Sequence, residues 1–232
     1  MRPFAKDRKP TKICLPVVET TAEKAIQAMA RAKRLADLVE LRVDYLKNPG
    51  LELLLKRREM PCIVTNRRRE EGGRYSGDEE NRLAVLRRAI DLGSDFVDLE
   101  LESARSAWHG LVGNHGKTRL ILSYHDFEKT PPVKELRSLC RRMIRYGADV
   151  VKIVTFVRSW EDNLKVLSLL PYALERKQKI VALGMGAKGK MTRIFAPLMG
   201  AEWTYAPLTR NRASAPGQLT ARELKEIWGR LR

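Results

Sequence analysis

The sequence predicts a single-domain (β/α)8 barrel, and three observations predict it. Eight short apolar runs with strand character are spread over the whole length. Helix-period stretches lie between them with no linker rich in Pro, Gly or Ser. The first strand is followed by no glycine-rich phosphate loop, which argues against the alternative, an open doubly wound sheet. A length of 232 residues suits one such barrel. The domain is expected to span 1–232, with the basic stretch 1–11 as a ragged tail rather than a secretion signal, because no apolar core follows it.

The strands are expected at Ile13–Val18, Leu38–Val43, Cys62–Asn66, Phe96–Leu101, Arg119–Tyr124, Val150–Thr155, Ile180–Gly184 and Trp203–Ala206. Each is a run of about five apolar or β-branched residues, the length of a buried parallel strand. Helical stretches are expected near 21–34, 50–58, 79–92, 132–146, 160–175, 189–199 and 220–230. Thr20 and Thr21 offer N-cap hydroxyls to the first, and Gly147 stands where a helix before the sixth strand would end.

Composition narrows the function classes. No apolar run approaches the roughly 18 residues of a membrane span, so a soluble, cytoplasmic protein with no membrane partner is expected. Cys14, Cys62 and Cys140 are odd in number, far apart and set among apolar residues, which predicts buried thiols rather than disulfides or a zinc site. The formal net charge of +17 raises nucleic acid as a partner. The basic residues, however, are dispersed, mostly where helices show a wet face, and no aromatic-interleaved basic motif accompanies them. A solvated basic surface with no nucleic-acid partner is the expectation.

Chemistry is sought at the C-terminal strand ends, where barrel enzymes carry it. In the second strand Val39, Leu41 and Val43 alternate with Glu40, Arg42 and Asp44. A closed barrel has no wet edge, so the charged set should face the interior, either as an internal salt bridge or as a polar site. The sixth strand is apolar except for Lys152. Burial disfavours an ammonium and can bring it toward the roughly 7–8 that suits a nucleophilic amine. A structural ion pair with Glu40, Asp98 or Glu100 is the competing role. Of three histidines, His109 and His115 fall in a polar stretch and are expected at the surface. His125 sits just past the end of the fifth strand, beside the strand of Lys152, where an imidazole can move protons near neutral pH.

Three loops add candidates. Arg67 and Glu71 follow the third strand, with Gly72 and Gly73 behind them. Arg193 follows a glycine-rich segment after the seventh strand. That segment does not fit a P-loop, and a guanidinium there suits a carboxylate bound bidentately. Ser214 and Gln218 lie in a turn-rich loop after the eighth strand.

Glu40-Leu41-Arg42-Val43-Asp44, Ser123-Tyr124-His125-Asp126-Phe127, Ala148-Asp149-Val150-Val151-Lys152-Ile153, the run Met185 to Arg193 and Ser214-Ala215-Pro216-Gly217-Gln218 occur together and in order. This set resembles the type I 3-dehydroquinate dehydratases of the shikimate pathway over nearly the whole chain. The resemblance implies a lyase that dehydrates 3-dehydroquinate to 3-dehydroshikimate by syn elimination of water. It implies Lys152 as the Schiff-base lysine, His125 as general acid/base and Glu71 as its partner. It implies Glu40, Arg42 and Arg67 as groups holding the substrate hydroxyls, Arg193 as the carboxylate binder, and Ser214 and Gln218 in a loop closing over the substrate. No metal and no cofactor are implied, and a homodimer is. The sequence departs from the family pattern in lacking a small polar residue near Leu15–Val18 and in carrying Leu183 where some relatives have methionine.

Two other classes compete. A class I aldolase acting on a sugar phosphate would explain Lys152 equally well, but it would need a phosphate site in the last two loops, where Arg193 and Gln218 favour a carboxylate. A nucleic-acid-binding protein rests on charge alone.

Overall fold

The computed structural model describes residues 11–48, 50–103, 111 and 115–231. Strands β1 (Ile13–Val17), β2 (Leu38–Arg42), β3 (Cys62–Thr65) and β4 (Phe96–Glu100) alternate with helices α1 (Ala22–Ala32), α2 (Leu51–Lys56) and α3 (Glu79–Asp91). Then come β5 (Arg119–Asp126), α4 (Val133–Arg145), β6 (Val150–Phe156), α5 (Trp160–Leu167) and α6 (Leu169–Leu174). Strand β7 (Lys179–Met185), α7 (Lys190–Leu198), β8 (Thr204–Tyr205) and α8 (Ala221–Arg230) complete the order.

The eight strands are parallel and ordered β7-β6-β5-β4-β3-β2-β1-β8. This is a barrel in sequence order with its seam between β7 and β8. The amide of Glu202 donates to the Ile180 carbonyl at 2.9 Å across that seam, just before β8 begins. The (β/α)8 barrel expected from the sequence is thus the observed fold. Val39 and Leu41 of β2 belong with Ala25, Met29 and Ala32 of α1 to one buried apolar cluster, so the outward faces of the strands and the inward faces of the helices form the core. Cys14, Cys62 and Cys140 are free and buried. Among the described residues no helix is long and apolar enough to cross a membrane.

Local chemistry sets the helix ends. Thr21 caps α1 and accepts from the Lys24 amide, while Ser159 with Asp162 and Thr220 with Glu223 form capping boxes on α5 and α8. Gly147, at φ +78°, ends α4 in the left-handed conformation that glycine adopts without strain.

Four expectations need correction or restriction. The helix expected over 160–175 is broken at Ser168, because Pro171 in the first turn of α6 cannot donate to the carbonyl four residues back and its ring crowds that turn. Strand β5 runs to Asp126, so His125 lies within the strand rather than past its end. Strand β2 stops at Arg42 and a 3-10 turn, Val43–Tyr45, follows, so Asp44 leaves the pleat instead of extending the inward-facing set. His115 is half-buried, its Nδ1 2.6 Å from the Thr118 carbonyl, while His109 and residues 1–10 of the expected tail lie outside the described residues.

Candidate active site

Strand alternation brings Glu40, Asp98 and Lys152 into the barrel interior from β2, β4 and β6. Lys152 is 4% exposed, and its Nζ lies 2.8 Å from Asp98 Oδ2 and 3.2 Å from Glu40 Oε1. The same Nζ stands 4.4 Å above the centroid of the Tyr205 ring, which comes from β8. Thr65 donates to Glu40 at 3.0 Å and fixes that carboxylate from β3. Burial pushes the Asp98 carboxyl up, but Arg67 and Lys152 outweigh it and hold the group far below the usual carboxylate range. Asp98 is therefore ionised, and the ion pair weighed for Lys152 is made with Asp98 and Glu40. Glu100 is engaged elsewhere.

His125 and Glu71 form a second cluster beside the amine. His125 Nδ1 is 2.8 Å from Glu71 Oε2. Burial raises Glu71 to about 7, opposed by Arg67. Burial also lowers His125 well below the usual imidazole value, and the charges of Arg67 and Lys152 add to that. Both shifts favour the uncharged forms, so the imidazole is neutral and able to accept a proton at pH 7.

Arg67 joins the clusters. Its guanidinium donates to Asp98 and to Ser123 Oγ, each at 2.8 Å, and lies 3.2 Å from Glu100 and 3.9 Å from Glu71. The turn carrying Glu71 folds back tightly behind it. A Cβ at Gly73 would sit 1.9 Å from the Arg67 carbonyl, so only glycine fits there. Glu100 in turn takes Arg82 at 2.6 Å and the Arg68 amide at 3.1 Å. Arg42, at the end of β2, binds Asp44 bidentately at 2.8 and 2.7 Å, and Asp44 also accepts from the Arg74 amide at 3.0 Å.

Arg193 differs from all of these. It is 1% exposed, and its Nε and Nη2 make no hydrogen bond. Burial alone lowers it to about 10. A buried guanidinium without an anion is costly, and a carboxylate entering the cavity would satisfy it. Above it, Gln218 accepts from the Ser214 amide at 2.9 Å and donates to Ser214 Oγ at 3.1 Å. That loop packs directly on the loop after β7. The Gly186 amide donates to the Pro216 carbonyl, and a Cβ at Gly217 (φ +79°) would lie 2.1 Å from the Gly186 carbonyl.

Glu40, Arg42, Arg67, Glu71, His125, Lys152, Arg193, Ser214 and Gln218, the nine residues singled out in the sequence, all line one cavity of about 50 Å³ at the C-terminal ends of the strands. A roomier groove, about 970 Å³, lies between α2 and α3. Of the nine residues it holds none, so the smaller space is the candidate site. Sequence reasoning missed Tyr205 and Arg82, and it named Asp98 and Glu100 only as ion-pair candidates. The alternation Phe96-Val97-Asp98-Leu99-Glu100 carries the same signal as β2 and could have found the latter two. A buried amine, a neutral imidazole and an unpaired guanidinium in one cavity can form an imine with a carbonyl, remove a neighbouring proton and anchor an anionic group.

The chain is similar to known 3-dehydroquinate dehydratases. A family profile described as type I 3-dehydroquinase matches residues 13–231. A 3-dehydroquinate dehydratase from Methanocaldococcus jannaschii is 40% identical over 220 residues, covering 93% of this chain and 97% of the relative. The crystal structure of the 3-dehydroquinate dehydratase from Geobacillus kaustophilus superimposes with a TM-score of 0.87 at 26% identity, covering 96% of this chain and 91% of that one. The type I enzyme from Clostridium difficile, solved with covalently modified comenic acid, gives a TM-score of 0.86 at 26% identity, covering 95% and 92%.

Proposed function

The chain belongs to the type I 3-dehydroquinase family, and from that premise we propose that it converts 3-dehydroquinate to 3-dehydroshikimate through a Schiff base on Lys152. Membership makes it a hydro-lyase of the shikimate pathway. The observation that carries the Schiff-base reading is the shared cavity of Lys152, His125 and the unpaired Arg193 guanidinium. The covalent ligand in the C. difficile relative supports it. The carboxylate-seeking Arg193 favours it over a sugar-phosphate aldolase.

Arg193 takes the substrate carboxylate in a bidentate pair and so points the ketone at Lys152. Lys152 gives up one ammonium proton, its freed Nζ lone pair adds to the ketone carbon, and a second proton leaves as the ketone oxygen departs as water, so the nitrogen ends as an iminium with one proton. The resulting iminium draws electrons from the adjacent carbon and acidifies its proton. His125, neutral and held through Nδ1 by Glu71, removes the C2 proton. It returns that proton to the C1 hydroxyl, which departs as water from the same face, a syn elimination. Hydrolysis then frees Lys152. Glu40, Arg42 and Arg67 hold the ring hydroxyls, and Ser214 and Gln218 close over the substrate. A cytoplasmic homodimer is part of the same proposal, its oligomeric state checked by sedimentation.

Borohydride reduction with 3-dehydroquinate, followed by peptide mass spectrometry, tests the core of it. The expected adduct lies on the peptide of Lys152 and is absent from Lys152→Ala. An adduct on another lysine refutes the assignment.

A further inference from the structure

We infer that the ring of Tyr205 is a catalytic group that stabilises the iminium on Lys152 through a cation–π contact. The inference rests on the reading of Lys152 as the Schiff-base lysine. Its observations are geometric. Tyr205 closes the barrel from β8, is 4% exposed, lines the cavity and puts its ring face 4.4 Å from the reacting nitrogen. Its buried hydroxyl lies with Cys14 and Trp203, and the ring face is the part turned to Lys152.

The change at Nζ during the reaction gives the ring its task. The ammonium of Lys152 has three N–H donors, and it directs two of them to Asp98 and Glu40. When an ammonium and a ketone combine, the balance is one iminium and one water. The N–C bond forms, the C–O bond breaks, and two of the three ammonium protons leave with the ketone oxygen. The positive charge stays while the nitrogen keeps a single proton. Only one carboxylate can then hold its hydrogen bond. Attraction to the face of an aromatic ring depends on charge and not on protons, so it survives this loss undiminished. In a water-excluded cavity the contact is at the strong end of its range. The iminium also spreads its charge over nitrogen and carbon, which suits a broad, diffuse partner better than a point acceptor.

The test separates ring electronics from packing. Pentafluorophenylalanine at position 205 keeps the shape and apolarity of phenylalanine but reverses the charge distribution of the ring face. Tyr205→Phe should stay within about 2-fold of the native rate. The pentafluoro variant should lose about 10- to 30-fold in kcat relative to Tyr205→Phe, the size of a desolvated cation–π contact, with KM changed less. The fraction trapped on Lys152 by borohydride at fixed substrate should fall with it. A pentafluoro variant matching Tyr205→Phe in both readouts overturns the inference and leaves Tyr205 a packing residue. Should that variant not fold, Tyr205→Met replaces it. A methionine side chain is apolar and long but has no ring face, so a rate equal to that of Tyr205→Phe is again the overturning result. If the native protein traps no adduct on Lys152, the parent reading fails. Trapping in the native protein with indifferent variants overturns the ring alone.

Discussion

Arg193→Met should act in opposite directions on stability and on function. In the free protein this guanidinium is buried with two nitrogens unpartnered, and burial brings it down to about 10. A depression of that size corresponds to roughly 3 kcal/mol of cost for holding the charge there. Methionine has similar volume and no polar atom, and Met185 already lines the same cavity. The substitution should therefore stabilise the unliganded protein by up to about 3 kcal/mol. At roughly 2–4 °C per kcal/mol for a chain of this length, the melting temperature rises by several degrees. Substrate binding should suffer. A charged hydrogen bond contributes roughly 1.5–3 kcal/mol, so losing a bidentate pair should raise KM on the order of 10²-fold or more. Arg193→Lys keeps the charge without the fork and should raise KM by about an order of magnitude. The assays are thermal unfolding without substrate and steady-state kinetics followed by the absorbance of the conjugated product. A lower melting temperature with an unchanged KM would show that Arg193 is structural and paired with an anion of the protein itself.

Three further outcomes are expected. His125→Ala should lower kcat by roughly 10²- to 10⁴-fold while Lys152 still yields a reducible adduct, because imine formation needs the imidazole less than elimination does; near-normal turnover of the folded variant would leave the proton carrier unassigned. Burial raises Glu71 to about 7 and lowers His125 well below the usual imidazole value, so the carboxyl is already protonated where the imidazole titrates; Glu71→Gln, a neutral replacement, should leave the acidic limb of the kcat/KM profile in place and reduce the rate through looser positioning of Nδ1. A limb displaced to lower pH would show that Glu71 stays charged beside the imidazole. Arg82→Met should cost about 3–5 kcal/mol of stability, measured by denaturant titration, since it strips the buried Glu100 carboxylate of its partner at 2.6 Å, and a loss under about 1 kcal/mol would show that Arg67 alone suffices there.

The parts of the fold legible in the sequence were those fixed by short-range periodicity. All eight strands fall within a few residues of their expected bounds, because parallel barrel strands are apolar on both faces and announce themselves as runs. Boundaries failed where a tertiary partner decided them. Strand β5 continues through His125 and Asp126 because β6 offers Val154 and Thr155 in register, which no local signal contains. Asp44 turns away because its carboxylate is claimed by Arg42 and the Arg74 amide. Within the site, charged residues in apolar strands were conspicuous, and so Glu40, Arg42 and Lys152 stood out. Tyr205 did not, since an aromatic residue in a two-residue strand reads as core. Only the closure of the barrel puts its face against Lys152, whose place on β6 is 53 residues away in the chain.

On the proposed function, the layout of charge in the barrel would tell one end of the substrate from the other. Arg42 answers to Asp44, Arg67 to Asp98, Arg82 to Glu100, and Lys152 to Asp98 and Glu40. These pairs are buried, so their net contribution to stability is small or even unfavourable once desolvation is counted. What they supply is fixed positions. Each long side chain is locked by two or more bonds before any ligand arrives, and none has to be ordered during the reaction. Arg193 stands outside this scheme with no carboxylate of its own. An anion entering the cavity thus meets a compensated lattice on the β2, β4 and β6 side and, among the described residues, a single unanswered cation beside β7. On the proposed function the substrate carboxylate has that one favourable place, and occupying it would deliver the other end of the molecule to Lys152. The cost of keeping Arg193 unpaired in the free protein would thereby be returned as orientation when substrate binds, which is why its removal is expected to raise stability and lower function together.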